Sequence, residues 1–95
     1  MAIAAALSPE EEALRAEKAK SLINDTIFAE SVRAVEEAIL AGIRGSALKD
    51  AELREKLCQQ YISLHAVLGQ IQTHIETGAL AKATLLQRVK NVVNF

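Results

Sequence analysis

A single cysteine, Cys58, rules out an intrachain disulfide, argues against a disulfide-built secreted scaffold, and makes a reducing compartment the default. Proline occurs once, glycine four times and tryptophan not at all, and aromatics are 3% of a chain that is 51% hydrophobic. Ala, Leu, Ile and Val therefore supply nearly all the apolar mass, which is the composition of an all-helical protein. With two His, one Cys and one Tyr, the stock for general acid–base or nucleophilic chemistry is small. No catalytic residue and no cofactor is assigned, and the chain is read as non-enzymatic.

Metal-ligand spacing is also missing. Cys58 and His65 are seven residues apart, which puts them on nearly one helical face but about 10.5 Å apart along the axis. One ion cannot reach both within a chain, so only a site shared between subunits remains. Neither Cys-x-x-Cys nor the Glu-x-x-His of helical di-metal bundles occurs, so no metal site is expected. Gly42-Ile43-Arg44-Gly45 has the shape of a Gly-x-x-Gly loop, but the α/β module that uses it is not in evidence, and it reads as a helix ending.

Charge is nearly balanced in total and uneven in place. The net charge is −1, which predicts no strong attraction to nucleic acid or to an anionic membrane. Residues 78–95 carry Lys82, Arg88 and Lys90 with no acid, a mildly basic end that oligomerisation would multiply. These three are the candidate nucleic-acid contacts. A second route, a half helix-turn-helix bearing Lys49, Arg54 and Lys56, is opposed by Asp50, Glu52 and Glu55 on the same turns.

The most informative absence lies between Leu57 and Ile75, nineteen consecutive residues with no acid or base. Four Gln, two His, Ser63 and Thr73 disqualify this stretch as a membrane span. MAIAAAL at the start has no basic leader and is no convincing export signal. Within the stretch Leu57, Tyr61, Leu64, Leu68, Ile71 and Ile75 advance by 4, 3, 4, 3 and 4, the seam of a helix packed on another in coiled-coil fashion. A helix covered on one side alone carries Lys and Glu on the other. This one does not, so it is expected to be covered on more than one side, by its own chain and by copies of itself. The expected oligomer interface is Leu57, Tyr61, Leu64, Leu68, Ile71 and Ile75, with Gln60, Val67 and Gln70 at a second contact, since depletion of charge marks an interface core.

The rest of the chain supplies helices around that rod. Residues 1–7 read as a flexible or docking arm of a single 1–95 domain. Ser8-Pro9-Glu10-Glu11 is a helix start in which Ser8 caps, Pro9 takes the first helical position and Glu11 closes a capping box. A surface helix with a thin stripe of Leu14, Leu22 and Ile23 then runs to about Ile23. Asn24-Asp25-Thr26 breaks it, and a second helix follows with Phe28, Val32, Val35, Ile39 and Gly42 or Ile43 at seam spacing. Gly45-Ser46 ends that helix and Asp50 caps the next. Two seamed helices joined by about five residues predict an antiparallel hairpin. Gly78 reads as a left-handed cap after a third helix of about 27 residues, with a short C-terminal helix beyond it bearing Leu85, Leu86, Val89, Val92 and Val93.

Ser21-Leu22-Ile23-Asn24-Asp25, then a helix, then Lys49-Asp50-Ala51-Glu52-Leu53-Arg54-Glu55-Lys56-Leu57, a long helix and Ile75-Glu76-Thr77-Gly78-Ala79-Leu80-Ala81 resemble, over about residues 20–82, small helical proteins of tailed bacteriophages. The hairpin is similar in architecture to the oligomerisation core of small terminase subunits, which build rings that present viral DNA to the packaging motor. No convincing DNA-binding helix-turn-helix precedes the hairpin here, which is a departure from most of that family. The resemblance implies an assembly or DNA-packaging component, acting in the bacterial host cytoplasm or associated with the virion. Its partners would be itself and other phage or host proteins. The alternatives are a nucleic-acid-binding module built on the basic end and a small inhibitor or adaptor that lays one helical face on a host protein.

Overall fold

In the computed structural model, which describes residues 7–93, the chain forms three α-helices and, among those residues, no strand. They are α1 (Pro9–Asn24), α2 (Thr26–Arg44) and α3 (Ala51–Val93). Apart from Leu7, the arm expected at residues 1–7 lies outside the described residues.

The starts of α1 and α2 follow from local chemistry. The Glu11 N–H donates to Ser8 Oγ at 3.2 Å, and the Ser8 hydroxyl donates to Glu11 Oε1 at 3.0 Å. The acid of the capping box thus closes on the serine hydroxyl rather than on its backbone N–H. Glu10, Glu11 and Glu12 occupy the first turn, where the helix dipole favours acids. One residue, Asp25, separates α1 from α2. Its backbone is extended (φ −67°, ψ 126°) and its carboxylate accepts from the Phe28 N–H at 2.8 Å, the geometry of an N-cap. Gly45 ends α2 in the right-handed region (φ −83°, ψ −4°), its N–H donating to the Ala41 carbonyl at 2.9 Å.

The connection from α2 to α3 is fastened by Arg54, one of the cations weighed from sequence as part of a half helix-turn-helix. Arg54, in the first turn of α3, donates through Nη1 to Ser46 Oγ at 3.2 Å and to the Ala47 carbonyl, and through Nη2 to the Leu48 carbonyl at 3.0 Å. Ser46 in turn donates to the Ile43 carbonyl at 2.8 Å. The planar fork of one guanidinium thus satisfies loop carbonyls that the helices leave unpaired.

The chain divides into two compact units. One is Ile23–Gln70, holding α2 and the first part of α3. Here Gly42 lies against Leu57, whose Cδ1 is 3.0 Å from where a Cβ would stand. Glu36 meets His65, so contacts step backward along α2 as they step forward along α3. Ile39, 6% exposed, is the one buried core residue of this unit among those described.

The other unit joins α1, up to Leu22, with α3 from Ile71 onward. Its core is made of small residues: Ala16, Ala19 and Ala81 are buried, and so is Gly78. Of the thin stripe expected on α1, Leu14 and Leu22 are exposed and the alanines supply the buried part. The alanine face points inward because Gly78 lets α3 come close. A Cβ built on Gly78 would stand 2.0 Å from the Ala16 Cβ, far inside contact distance.

That close approach corrects the reading of Gly78 as a left-handed cap followed by a short C-terminal helix. No glycine has positive φ, and α3 continues through position 78 as one helix of 43 residues. The physical reason is tertiary. Glycine costs a helix about 1 kcal/mol relative to alanine, a penalty that packing against α1 outweighs.

Candidate assembly surface

Along α3 the residues that are not fully exposed before Gly78 include Arg54, Leu57, Tyr61, Leu64, Leu68, Ile71 and Ile75, a single stripe at 3–4 spacing. All six apolar seam positions are thus half-buried, and they are so against their own chain. Leu57 and Leu64 share a groove with Val35 and Ile39, while Leu68 lines another with Phe28 and Val32. Ile71 lines a third with Ala19 and Leu22. In sequence terms α2 covers the stripe as far as Leu68 and α1 takes over from Ile71.

The remainder of the uncharged stretch is exposed: Cys58, Gln59, Gln60, Ile62, Ser63 and Val67, and Gln70 and Gln72 beyond them. Ile62 is 67% exposed and Val67 60%. Of the expected second contact, then, Gln60, Val67 and Gln70 are all exposed, Gln60 on the wall of a groove beside α2. Its own chain covers this helix along one side and leaves the other exposed.

Two grooves flank the α2–α3 packing. The first, about 770 Å³, has Val35, Ala38 and Ile39 on one wall and Leu57, Gln60, Ser63 and Leu64 on the other. The second, about 290 Å³, is lined by Ile23, Phe28, Ala29, Val32, Arg33, Glu36 and Leu68. They differ in charge: Arg33 and Glu36 border the second, whereas Lys56 alone borders the first.

His65 was read from sequence as a polar helix position. Its Nε2 donates to Glu36 Oε2 at 2.8 Å, and its ring lies 4.3 Å from that of Tyr61. Tyr61 and His65 stand one turn apart on α3, and Glu36 reaches His65 from α2. Their i,i+4 relation was legible in the sequence, but the cross-helix pair was not. Among the described residues no three His, Cys, Asp or Glu side chains gather where a metal ion could be held.

The basic end is partly neutralised. Lys82 donates to Glu17 Oε1, and Arg88 lies 3.5 Å from Glu10 Oε1. Through that hydrogen bond first, and then through the charges of Lys82 and Lys20, the Glu17 carboxyl is held below its ordinary value of 4.5. Lys90, in the last turn of α3, completes the expected set. A surface that must gather phosphates would keep its cations free of acids. Two of these three face glutamates of α1.

Comparison with family models, with curated proteins and with solved structures finds no match. The surface therefore has to be read from its own chemistry. It offers apolar and amide contacts over two helices.

Proposed function

We propose that this protein is a non-enzymatic, self-associating helical component, in which α2 and the first part of α3 act as an antiparallel hairpin. One observation carries this: the nineteen-residue stretch without acid or base is covered by its own chain along one stripe and exposed elsewhere. A solitary helix in water gains nothing from such a surface, because charged residues would keep it solvated. A second copy gives it a use.

The thin interior supports the same reading. Among the described residues the buried hydrophobic set is Ala16, Ala19, Ile39 and Ala81, and no large side chain is fully buried. Small domains with so little core draw stability from association. The resemblance to small phage proteins and to the terminase oligomerisation core sets the biological frame, an assembly or DNA-packaging component at work in the bacterial host cell or in the virion. No helix among the described residues is long and apolar enough to cross a membrane.

Size-exclusion chromatography with light scattering tests this reading, with and without double-stranded DNA. The expected mass is a multiple of 10.3 kDa in the absence of DNA. A mass of 10.3 kDa at every concentration would remove the proposal.

A further inference from the structure

We infer that the larger groove between α2 and α3 is the docking face for a second copy of this chain, whose own α2 and α3 seat against it flank to flank about a two-fold axis. This rests on the reading of the chain as self-associating and adds which face does it. Charge distribution is the first ground. At 100° per residue, the five charged positions of α2, Glu30, Arg33, Glu36, Glu37 and Arg44, fall on the side of the smaller groove and on the back of the helix. The side of α2 toward the larger groove carries Ile27, Ser31, Val35 and Ala38, with Ala34 at its edge. These are all uncharged, and all are exposed.

The facing wall of α3 continues the pattern. Gln59, Gln60, Ser63, Val67 and Gln70 are exposed and uncharged. The only cation on the groove, Lys56, stands at its end and is already 3.6 Å from Glu52. Two helices thus present one continuous flank from which ionic groups are missing.

Why a second copy, and not some other protein, follows from symmetry. Around a two-fold axis each residue near the axis meets its own counterpart, so an acid or base there would face its like. Amides and hydroxyls both donate and accept, so Gln and Ser can pair with themselves. A foreign partner is steered and selected by complementary charge, and this flank offers none to read. Small side chains at Ser31, Ala34 and Ala38 additionally let a helix approach closely.

Area fixes the geometry. Ile27–Ala41 and the matching length of α3 give about 22 Å of helix, and two helices packed at 8–10 Å give a width of about 20 Å. The envelope is roughly 450 Å² before side-chain relief, about half of the roughly 800 Å² that a stable interface takes from each partner, so the pairing is weak and depends on concentration. A single helix crossing would use a fraction of this. The whole flank has to be engaged, which is the layout of a four-helix bundle built from two hairpins.

Ala38→Glu on the flank and Ala29→Glu on the smaller groove form the test, each followed by light scattering and by far-ultraviolet circular dichroism. Ala38→Glu places a carboxylate in the interface and is expected to weaken association about 100-fold or more, with helicity retained, whereas Ala29→Glu leaves the mass unchanged. If both variants associate like the parent, the flank is the wrong face and self-association stands. A monomeric parent would defeat both ideas. Should Ala38→Glu lose its helicity, disulfide trapping replaces it. In a Cys58→Ser background, Ala34→Cys, Ala38→Cys and Ser63→Cys are made one at a time. At least one of them gives a linked dimer on mild oxidation, and Ala29→Cys does not. Trapping at position 29 alone, or at none of the three flank positions, overturns the inference.

Discussion

Replacing Gly78 by alanine sets two opposing effects against each other at one atom. In an exposed helix interior the added methyl stabilises by about 1 kcal/mol, because alanine is the better helix former. Here that methyl would stand 2.0 Å from the Ala16 Cβ, and 3.2 Å from the Glu12 carbonyl oxygen. Ordinary carbon contacts are about 3.5–4.0 Å, so α1 and α3 have to part by roughly 1.5–2 Å at their closest point. Neither methyl can swing away, since both are fixed to helix backbone. Overpacking of this kind costs about 1–3 kcal/mol, and the upper end applies when no side-chain torsion can absorb it. The net expectation for Gly78→Ala is a loss of about 2 kcal/mol, or roughly 8–16 °C in Tm for a chain of this size.

The compensating variant separates this cause from others. Ala16→Gly alone loses about 1 kcal/mol of helix propensity. Combined with Gly78→Ala it moves the methyl from one helix to the other, and the double variant should lie within about 1 kcal/mol of the parent. The two changes then couple by about 3 kcal/mol in a double-mutant cycle. Urea unfolding followed at the helix band, at one fixed protein concentration, measures all four proteins. A Gly78→Ala variant as stable as the parent, or a double variant whose loss equals the sum of the singles, refutes the close-approach explanation.

Three further outcomes are expected. Gly69→Ala, at a helical position where a Cβ meets no atom within 4 Å, should raise the unfolding midpoint by the equivalent of about 1 kcal/mol, opposite in sign to Gly78→Ala. Asp25→Ala removes the cap on the Phe28 N–H and should lower stability by about 1 kcal/mol, seen as earlier loss of helix in urea, while Asp25→Asn keeps most of it. The Glu17 carboxyl is depressed by Lys82, so its contribution is present at pH values above the ordinary 4.5 and is lost as pH falls through its lower folded value. A carbon-detected titration should therefore place Glu17 below 4.5 in the parent and return it toward that value in Lys82→Met.

Local rules made the helix starts legible. Ser8 with Pro9 and Glu11, and Asp25 with its donor three residues on, needed nothing beyond neighbouring residues, and both caps formed where the sequence placed them. The seam from Leu57 to Ile75 was legible for the same reason, since a 3–4 repeat fixes a helical stripe regardless of what covers it. What covers it was not. That α2 hands over to α1 near Ile71 depends on contacts between residues far apart in sequence. Gly78 shows the limit most plainly. Glycine after Glu76-Thr77 reads equally as a cap or as a notch, and only the Ala16 methyl opposite decides for the notch. Arg54 misled in the same way: a cation in a first helical turn looks solvated until the carbonyls of Ala47 and Leu48 are seen within its reach.

The account stands on the exposed, charge-free flank being covered by a second copy. Solvent paramagnetic relaxation of the Val67 methyls measures that cover directly, because in the single chain this side chain is 60% exposed. The expected result is strong protection from a soluble paramagnetic agent at high protein concentration, lost on dilution and lost in Ala38→Glu. Val67 methyls relaxed at every concentration as fast as those of exposed Val89 and Val92 would contradict it.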